Sequence, residues 1–277
     1  MNTRPIQQAL TLIAIALTFA SGAADVASFT RLGDVFTSVM TGNIVLWGLA
    51  AARGSLTLFS HTAVAIAGYI AGVAAGTWIA HGLRAATPDQ DQGQAALPPK
   101  HVVRALLAEL ILLAGFTAGW VACGASPAGW TQFCLLATLA AAMGVQACAV
   151  RNMGLAEVST TYLTGTLTGL VASLARPGQD TPLGPRRFGV LIGLATGASL
   201  CGLLVATAAD LVPLLPLGAL VFTLVLGWRS GWPWPGSGRA APSVPRAGGA
   251  GGLGGADGGG GLGGGGGLGG GGDAGGR

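Results

Sequence analysis

Six stretches of this sequence are apolar over about 20 residues each, the length of helix that crosses about 30 Å of hydrocarbon. Only 9% of the chain is charged and 51% is hydrophobic, whereas a soluble domain has roughly 25% charged residues. The sequence therefore predicts an all-α integral membrane protein and excludes a water-soluble single domain. The six transmembrane helices are expected at about residues 8–29, 61–81, 102–124, 131–150, 188–208 and 211–228.

Two shorter apolar segments, at about residues 35–52 and 158–175, are interrupted by Thr and Gly. They are either full spans or re-entrant segments. Cytoplasmic flanks carry the excess of Lys and Arg. With the N-terminus inside, six spans leave only Arg31 and Arg53 of the 14 basic residues outside, whereas eight spans leave five outside. The six-span arrangement with both termini cytoplasmic is the better prediction.

The N-terminus also resembles a cleavable signal peptide, with Arg4 before an apolar run and small residues at Ser21 to Ala24. An internal repeat argues against cleavage, because it requires the residues on both sides of that point.

Residues 22–49 and 143–172 share an ordered set of features. A shift of 121 residues places Asp25 on Gln146, and after an insertion of two residues Thr41-Gly42-Asn43 falls on Thr164-Gly165-Thr166. Glycines at a spacing of four also correspond, Gly68, Gly72 and Gly76 with Gly189, Gly193 and Gly197.

With six spans the two copies, at about residues 8–124 and 131–228, run in opposite directions through the membrane. Many transporters consist of such inverted three-helix repeats, each with an interrupted segment, and bind substrate near the midplane. The alternative is that a duplication only produced a stable helical bundle. The glycine ladders are interpreted as helix-packing positions, with a glycine-lined pore as the alternative.

The interrupted segments are the predicted substrate-binding site. Two half-helices beginning near these residues would direct their positive ends toward the midplane, which favours an anion or a carboxylate. Asp25 and Gln146 would lie beside them, and Asp25 either binds a coupling proton or cation or caps the end of the first helix. The alternative is polar packing in a static bundle. The candidate residues are Asp25, Thr41, Gly42, Asn43, Gln146, Thr164, Gly165 and Thr166.

Glu109 is a second carboxylate within an apolar span, with Arg104 or a buried polar group as its expected structural partner and function as the alternative. The three histidines, at expected membrane boundaries, are assigned no role.

Other functional classes lack support in the sequence. The four cysteines have no metal-type spacing, and no nucleophile elbow or phosphate loop is present, so we expect neither an enzyme nor a cofactor. A net charge of +4 on 14 basic residues is too small to suggest nucleic acid as a partner; the expected partner is the lipid bilayer. Residues 1–230 form the predicted membrane domain, and the Gly-rich residues 231–277 are predicted to be disordered.

Four elements of the sequence resemble the YoaK-like family of bacterial inner-membrane proteins, a domain of unknown function. They are Gly22-Ala-Ala-Asp25-Val-Ala-Ser-Phe29, Met40-Thr-Gly-Asn43, Gly144-Val-Gln146 and Val158-Ser-Thr-Thr-Tyr-Leu-Thr-Gly-Thr166. The resemblance covers about residues 8–228 and implies a six-helix membrane protein without an established activity. Architecture alone therefore suggests a secondary transporter or channel for a small solute. A non-transporting membrane scaffold or interaction protein is the alternative.

Overall fold

The computed structural model describes residues 4–81, 99–153, 163–174 and 184–230. These residues form helices and their connections, without a β-strand among them. The predicted disorder of residues 231–277 and part of the second interrupted segment, residues 154–162, lie outside the described residues. The helices are α1 (Arg4–Arg31), α2 (Met40–Arg53), α3 (Leu56–His81), α4 (Pro99–Ala122), α5 (Trp130–Asn152), α6 (Leu163–Leu174), α7 (Gly184–Thr207) and α8 (Leu214–Arg229), with a 3₁₀ turn at Ala209–Leu211.

The predicted six transmembrane helices are confirmed, and they are α1, α3, α4, α5, α7 and α8, the last extended by the 3₁₀ turn. Helix α2 has 14 residues and the described helix α6 has 12. At 1.5 Å per residue these lengths correspond to about 21 Å and about 18 Å, short of the roughly 30 Å hydrocarbon core. Helix α2 is therefore too short to cross a bilayer by itself.

Contacts at the helix ends define the directions of four spans. The Arg31 guanidinium at the end of α1 donates to the Val205 carbonyl near the end of α7, at 3.1 Å. The Arg31 carbonyl accepts from the side-chain amide of Gln132, at the start of α5, also at 3.1 Å. Gln132 in turn lies 3.3 Å from Nε2 of His61, in the second turn of α3. Helices α1 and α7 are therefore parallel, and α3 and α5 run in the opposite direction.

The remaining two spans follow the same alternation. The Trp120 indole near the end of α4 donates to the Ala209 carbonyl, between the end of α7 and the start of α8, at 2.9 Å. Helices α1, α4 and α7 thus run in one direction, and α3, α5 and α8 run in the other.

Helices α1 and α5 form the centre of the domain. In each, 67% of the apolar span is buried, against 22% in both α3 and α7. Helix α1 packs mainly against α7 and α8, and α5 packs mainly against α3 and α4. The central helix of each half therefore packs mainly against two helices of the other half, so that the two halves are interlocked.

Close glycine contacts reveal a correspondence between the two halves. A Cβ added to Gly22 on α1 would lie against the Leu194 carbonyl and the Ala198 nitrogen of α7. A Cβ added to Gly144 on α5 would lie against the Tyr69 carbonyl and the Val73 nitrogen of α3. Only glycine permits such close backbone approach. Gly22 and Gly144 are therefore positions of close helix contact.

These contacts correct the register expected from the sequence. Gly22 and Gly144 are 122 residues apart, whereas Tyr69 and Leu194, like Val73 and Ala198, are 125 apart. The shift of 121 residues expected for both of these regions does not match these contacts.

With the corrected shifts Asp25 corresponds to Ala147 rather than to Gln146, and Gly68 to Gly193 rather than to Gly189. The error has a simple reason, because a ladder of glycines four residues apart matches itself again when it is moved by one step of four.

All six ladder glycines nevertheless lie at helix contacts. Gly68 and Gly72 approach the Ala137 and Ala141 carbonyls of α5, while Gly193 and Gly197 approach those of Ile15 and Phe19 on α1. Gly76 and Gly189 meet the side chains of Cys148 and Ile15.

Candidate functional site

The segment between α1 and α2, residues 32–39, folds back along α1 as far as Asp25. The Asp25 side chain is 7% exposed. Its Oδ1 accepts the backbone N–H groups of Thr37 and Ser38, both at 2.8 Å, and the Thr37 hydroxyl at 3.3 Å. Its Oδ2 accepts the Ser38 hydroxyl at 2.6 Å. Because Asp25 lies six residues before the end of α1, this segment reaches about 9 Å into the span.

Two further side chains complete this return. The Ser28 hydroxyl lies 2.8 Å from the Val35 carbonyl oxygen, which it can reach as a donor. Asn43, in the first turn of α2, is fully buried. Its Nδ2 donates to the Phe36 carbonyl at 2.6 Å, and its Oδ1 accepts the Phe36 N–H at 2.9 Å. Irregular backbone at membrane depth needs such partners, so Asn43 bonds the backbone.

The carboxylate of Asp25 lies directly before the N-terminus of α2. A negative charge is favourable at this end of a helix because of the backbone dipole. The carboxyl group of Asp25 therefore already accepts the backbone N–H groups of the residues that precede α2. The Thr41 side chain is exposed, and a Cβ added to Gly42 would lie 3.3 Å from the Phe36 ring.

In the second copy Thr164, Gly165 and Thr166 lie in the first turn of α6. Thr164 and Gly165 are exposed, whereas Thr166 is 5% exposed. Helix α2 packs against α3, and α6 packs against α7. The joint site between the two interrupted segments remains a prediction.

Gln146 lies on a different surface from the one expected. Its Nε2 donates to the Leu17 carbonyl at 2.8 Å and to the Ser21 hydroxyl at 3.0 Å, both on α1. Its Oε1 is buried and has no hydrogen-bond partner within the described ranges. Gln146 thus joins the two central helices.

Glu109 is fully buried on α4. Neither carboxyl oxygen has a hydrogen-bond partner in the part of the chain that the structure describes. Arg104 is exposed, so the expected pair between these two residues is wrong. Phe116 and Trp120, seven and eleven residues further along α4, are also buried and share a helix face with Glu109.

The helix ends near Arg31 contain a polar cluster that sequence reasoning missed. His61 was assigned no role, but it is 4% exposed. Its Nδ1 lies 2.7 Å from the Thr57 carbonyl, and its ring stacks on Phe133 at a centroid distance of 4.3 Å. Gly33, with φ of +106°, packs directly on the imidazole. The signals available in the sequence were Gly33 after the first span and the polar residues His61 and Gln132 near the starts of α3 and α5.

No group of three or more His, Cys, Asp or Glu residues that could hold a metal ion occurs among residues 4–81, 99–153, 163–174 and 184–230. The expectation of no metal or cofactor is otherwise a prediction from the sequence.

Comparison with known proteins identifies relatives of this chain without an assigned activity. Residues 13–226 match the family described as protein of unknown function (DUF1275). Over 160 residues the chain is 32% identical to the UPF0700 transmembrane protein YoaK of Bacillus subtilis (strain 168). The matched stretch covers 57% of this chain and 64% of YoaK, slightly less than two thirds of that relative. No solved structure matches the chain. The family match covers more than half of the sequence and agrees with the six apolar helices, and the chain therefore belongs to the DUF1275 family of multi-pass transmembrane proteins.

Proposed function

We propose that this protein is a secondary transporter or channel for a small solute, built from two inverted repeats in a bacterial inner membrane. The observation that carries the proposal is the pair of equivalent contacts that Gly22 and Gly144 make with α7 and α3. These contacts relate α1 to α5 and α3 to α7, and the members of each pair run in opposite directions.

Each proposed repeat consists of three long helices and one short one. The first repeat is α1 to α4 and the second is α5 to α8, with the short helices α2 and α6 in second place. An odd number of spans per repeat inverts the second copy. Transporters with this plan bind their substrates where interrupted helices of the two repeats approach the midplane.

The solute site is proposed between residues 41–43 and residues 164–166. The two halves of this site differ in charge, because Asp25 already supplies a carboxylate before α2 and the corresponding residue of the second repeat is Ala147. A negatively charged group on the solute is therefore best accommodated at the first turn of α6, where Thr164 and Gly165 are exposed.

The alternative function is a non-transporting membrane scaffold. It is favoured by the hydrogen bonds of Asp25 and Asn43, since both side chains are engaged with the backbone of residues 36–38. A segment held in this way is suited to a static bundle as well as to a rigid half-site.

Cysteine accessibility distinguishes these functions. In a background that lacks the four native cysteines, Thr41→Cys and Thr164→Cys are expected to react with a membrane-impermeant thiol reagent in proteoliposomes. Val45→Cys is the control, because Val45 is 71% exposed on the apolar surface of α2 and is expected to face lipid. If neither threonine position reacts from either side of the membrane, the scaffold is the better account.

Solute binding is tested by thermal stability in the presence of small anions, carboxylic acids and amines. A bound solute stabilises the folded state by mass action, and Thr164→Val is expected to abolish that stabilisation with little effect on the unliganded protein. Thr164 is a better choice for this purpose than Asn43, since Asn43→Leu removes two hydrogen bonds to the backbone. A panel without any stabilising solute would contradict the proposal.

The inverted orientation makes a separate prediction for topology reporters. Fusions after Gln92, near Gly178 and at Gly238 are expected to score cytoplasmic, and a fusion at Ser126 is expected to score external. An external score after Gln92 would exclude the six-span topology with a cytoplasmic N-terminus.

A further inference from the structure

Glu109 is a buried titratable group that is not part of the proposed solute site. It lies within the apolar span His101–Ala122, and its side chain is 0% exposed. An ionised carboxylate without a partner is very unfavourable in hydrocarbon. In this structure Glu109 is therefore expected to carry a proton.

A second unpartnered oxygen lies at the same depth. Gly119 on α4 contacts Leu135 on α5, where an added Cβ would lie 2.8 Å from a Leu135 methyl group. Glu109 lies ten residues before Gly119, about 15 Å along α4, and Gln146 lies eleven residues after Leu135, about 17 Å along α5. Because α4 and α5 run in opposite directions, the free carboxyl group and the free Gln146 carbonyl oxygen lie at about the same depth.

The titratable groups on the surrounding helices do not neutralise Glu109. Helix α4 packs against α3, α5 and α8, and neither Glu109 oxygen has a partner among the described residues. Arg104, Arg151, Arg229 and Asp210 are exposed at the helix ends, and His61 is held by Thr57 and Gln132. The remaining groups on these helices are Lys100, His101 and Cys123 on α4, Tyr69 and His81 on α3, and Cys134 and Cys148 on α5.

From this geometry we infer that Glu109 is a proton-binding site that loads and releases H⁺ when the helices around α4 open. The inference rests on the proposed function and identifies its coupling ion. Asp25, the carboxylate to which the sequence assigned this role, accepts four hydrogen bonds from residues 37 and 38 and holds the turn before α2. Glu109 has no such structural task among the described contacts.

Dicyclohexylcarbodiimide, an apolar reagent for protonated carboxyl groups, tests this inference on the unmodified chain. The carboxyl oxygen bonds to the central carbon of the carbodiimide while the proton moves to one of its nitrogens. The acyl group then migrates to nitrogen, so the entire reagent is retained as an N-acylurea. Mass spectrometry of the peptides locates the adduct, and Asp25 is the internal control because its oxygens are occupied as acceptors.

We expect an adduct on Glu109 and not on Asp25, with a labelling rate that falls by about tenfold for each pH unit once the carboxyl ionises. Labelling of Glu109 that is absent at every pH, or that proceeds at a rate independent of pH, would overturn the inference. The experiment requires no variant, so it does not depend on the folding of Glu109→Gln.

Infrared spectroscopy of reconstituted protein supplies the second measurement. The carbonyl band of a protonated carboxyl group is expected to disappear as the pH is raised and to be missing in Glu109→Gln. A band that persists at all pH values would show a permanently neutral structural residue and would also overturn the inference. Both results are independent of solute binding, so a failed solute panel would contradict transport while leaving the proton site intact.

Discussion

The regions around Asp25 on α1 and around Gln146 on α5 have similar glycine contacts and different polar contacts. Before α2, Asp25 accepts hydrogen bonds from residues 37 and 38. On α5, three residues after Gly144, the chain has Ala147, and the adjacent Gln146 bonds to α1. The glycines one turn earlier, Gly22 and Gly144, make matching contacts in both halves.

This difference separates the constraints on close helix contacts from those on polar side chains. Helix packing in lipid depends on close backbone approach, and a larger residue at either glycine would separate a helix pair. A polar side chain such as that of Asp25 is constrained only by the local backbone to which it is hydrogen-bonded. The packing of the two halves can therefore be alike while their polar groups differ.

The largest expected effect is the loss of either glycine contact. Gly22→Leu and Gly144→Leu both place side-chain atoms where a backbone carbonyl lies within 3.0 Å of the first added carbon. Overpacking usually costs about 1–3 kcal/mol, and we expect both variants at or above the upper end of this range. Thermal unfolding in detergent measures the effect.

Gly115→Leu is the matched control, because an added Cβ at Gly115 has nothing within 4 Å. If one of the two packed glycines tolerates leucine as well as Gly115 does, the equivalence between the halves is broken.

The next largest loss of stability is expected from substitution of Asp25. Asp25→Ala leaves the buried N–H groups of Thr37 and Ser38 without an acceptor, and each such group costs about 1–3 kcal/mol. We expect a loss of about 2 kcal/mol or more. Asp25→Asn retains an oxygen acceptor and should lose much less.

A comparison of the thermal stability of the two Asp25 variants with the unmodified protein checks this prediction. Equal stability of the alanine variant would mean that the carboxylate does not hold the turn, and its suggested ion-binding role would regain support.

The sequence was sufficient for the parts of this fold that depend on continuous apolarity. Each expected span overlaps its helix, for example residues 131–150 within Trp130–Asn152. The register between the halves was missed because a four-residue glycine ladder is periodic, and the contacts of Gly22 and Gly144 are needed to fix it.

The roles of the polar residues were harder to infer from the sequence. Asp25 allowed both a capping and a binding interpretation, and only the positions of Thr37 and Ser38 show what its oxygens accept. Arg104 was a plausible partner for Glu109 by spacing, yet its side chain is on the exposed face of α4. Such questions depend on which way a side chain points within a bundle, and an apolar sequence with few charges contains little information about that.

A smaller loss of stability is expected from substitution of Gln146 on α5. Gln146→Leu removes two hydrogen bonds to α1, but it also removes the unpartnered Oε1. Since a typical hydrogen bond contributes about 1 kcal/mol net, we expect a destabilisation of about 1 kcal/mol or less. Thermal unfolding beside Asp25→Ala measures the contrast directly. A loss as large as that of Asp25→Ala would show that Gln146 and Asp25 contribute equally to the stability of the fold.

The smallest effect is expected from deletion of residues 236–277. The only large aliphatic side chains in this segment after Val244 are Leu253, Leu262 and Leu268, too few to offset the conformational entropy of ordering the chain. If the equivalence of the two halves belongs to the membrane domain alone, the shortened protein should insert normally and unfold within about 0.5 kcal/mol of the complete chain. It should also retain the different responses of Asp25→Ala and Gln146→Leu. Failure to insert would show that the segment contributes to the fold. Equal losses of stability in Asp25→Ala and Gln146→Leu would show that it contributes to the difference between these two residues.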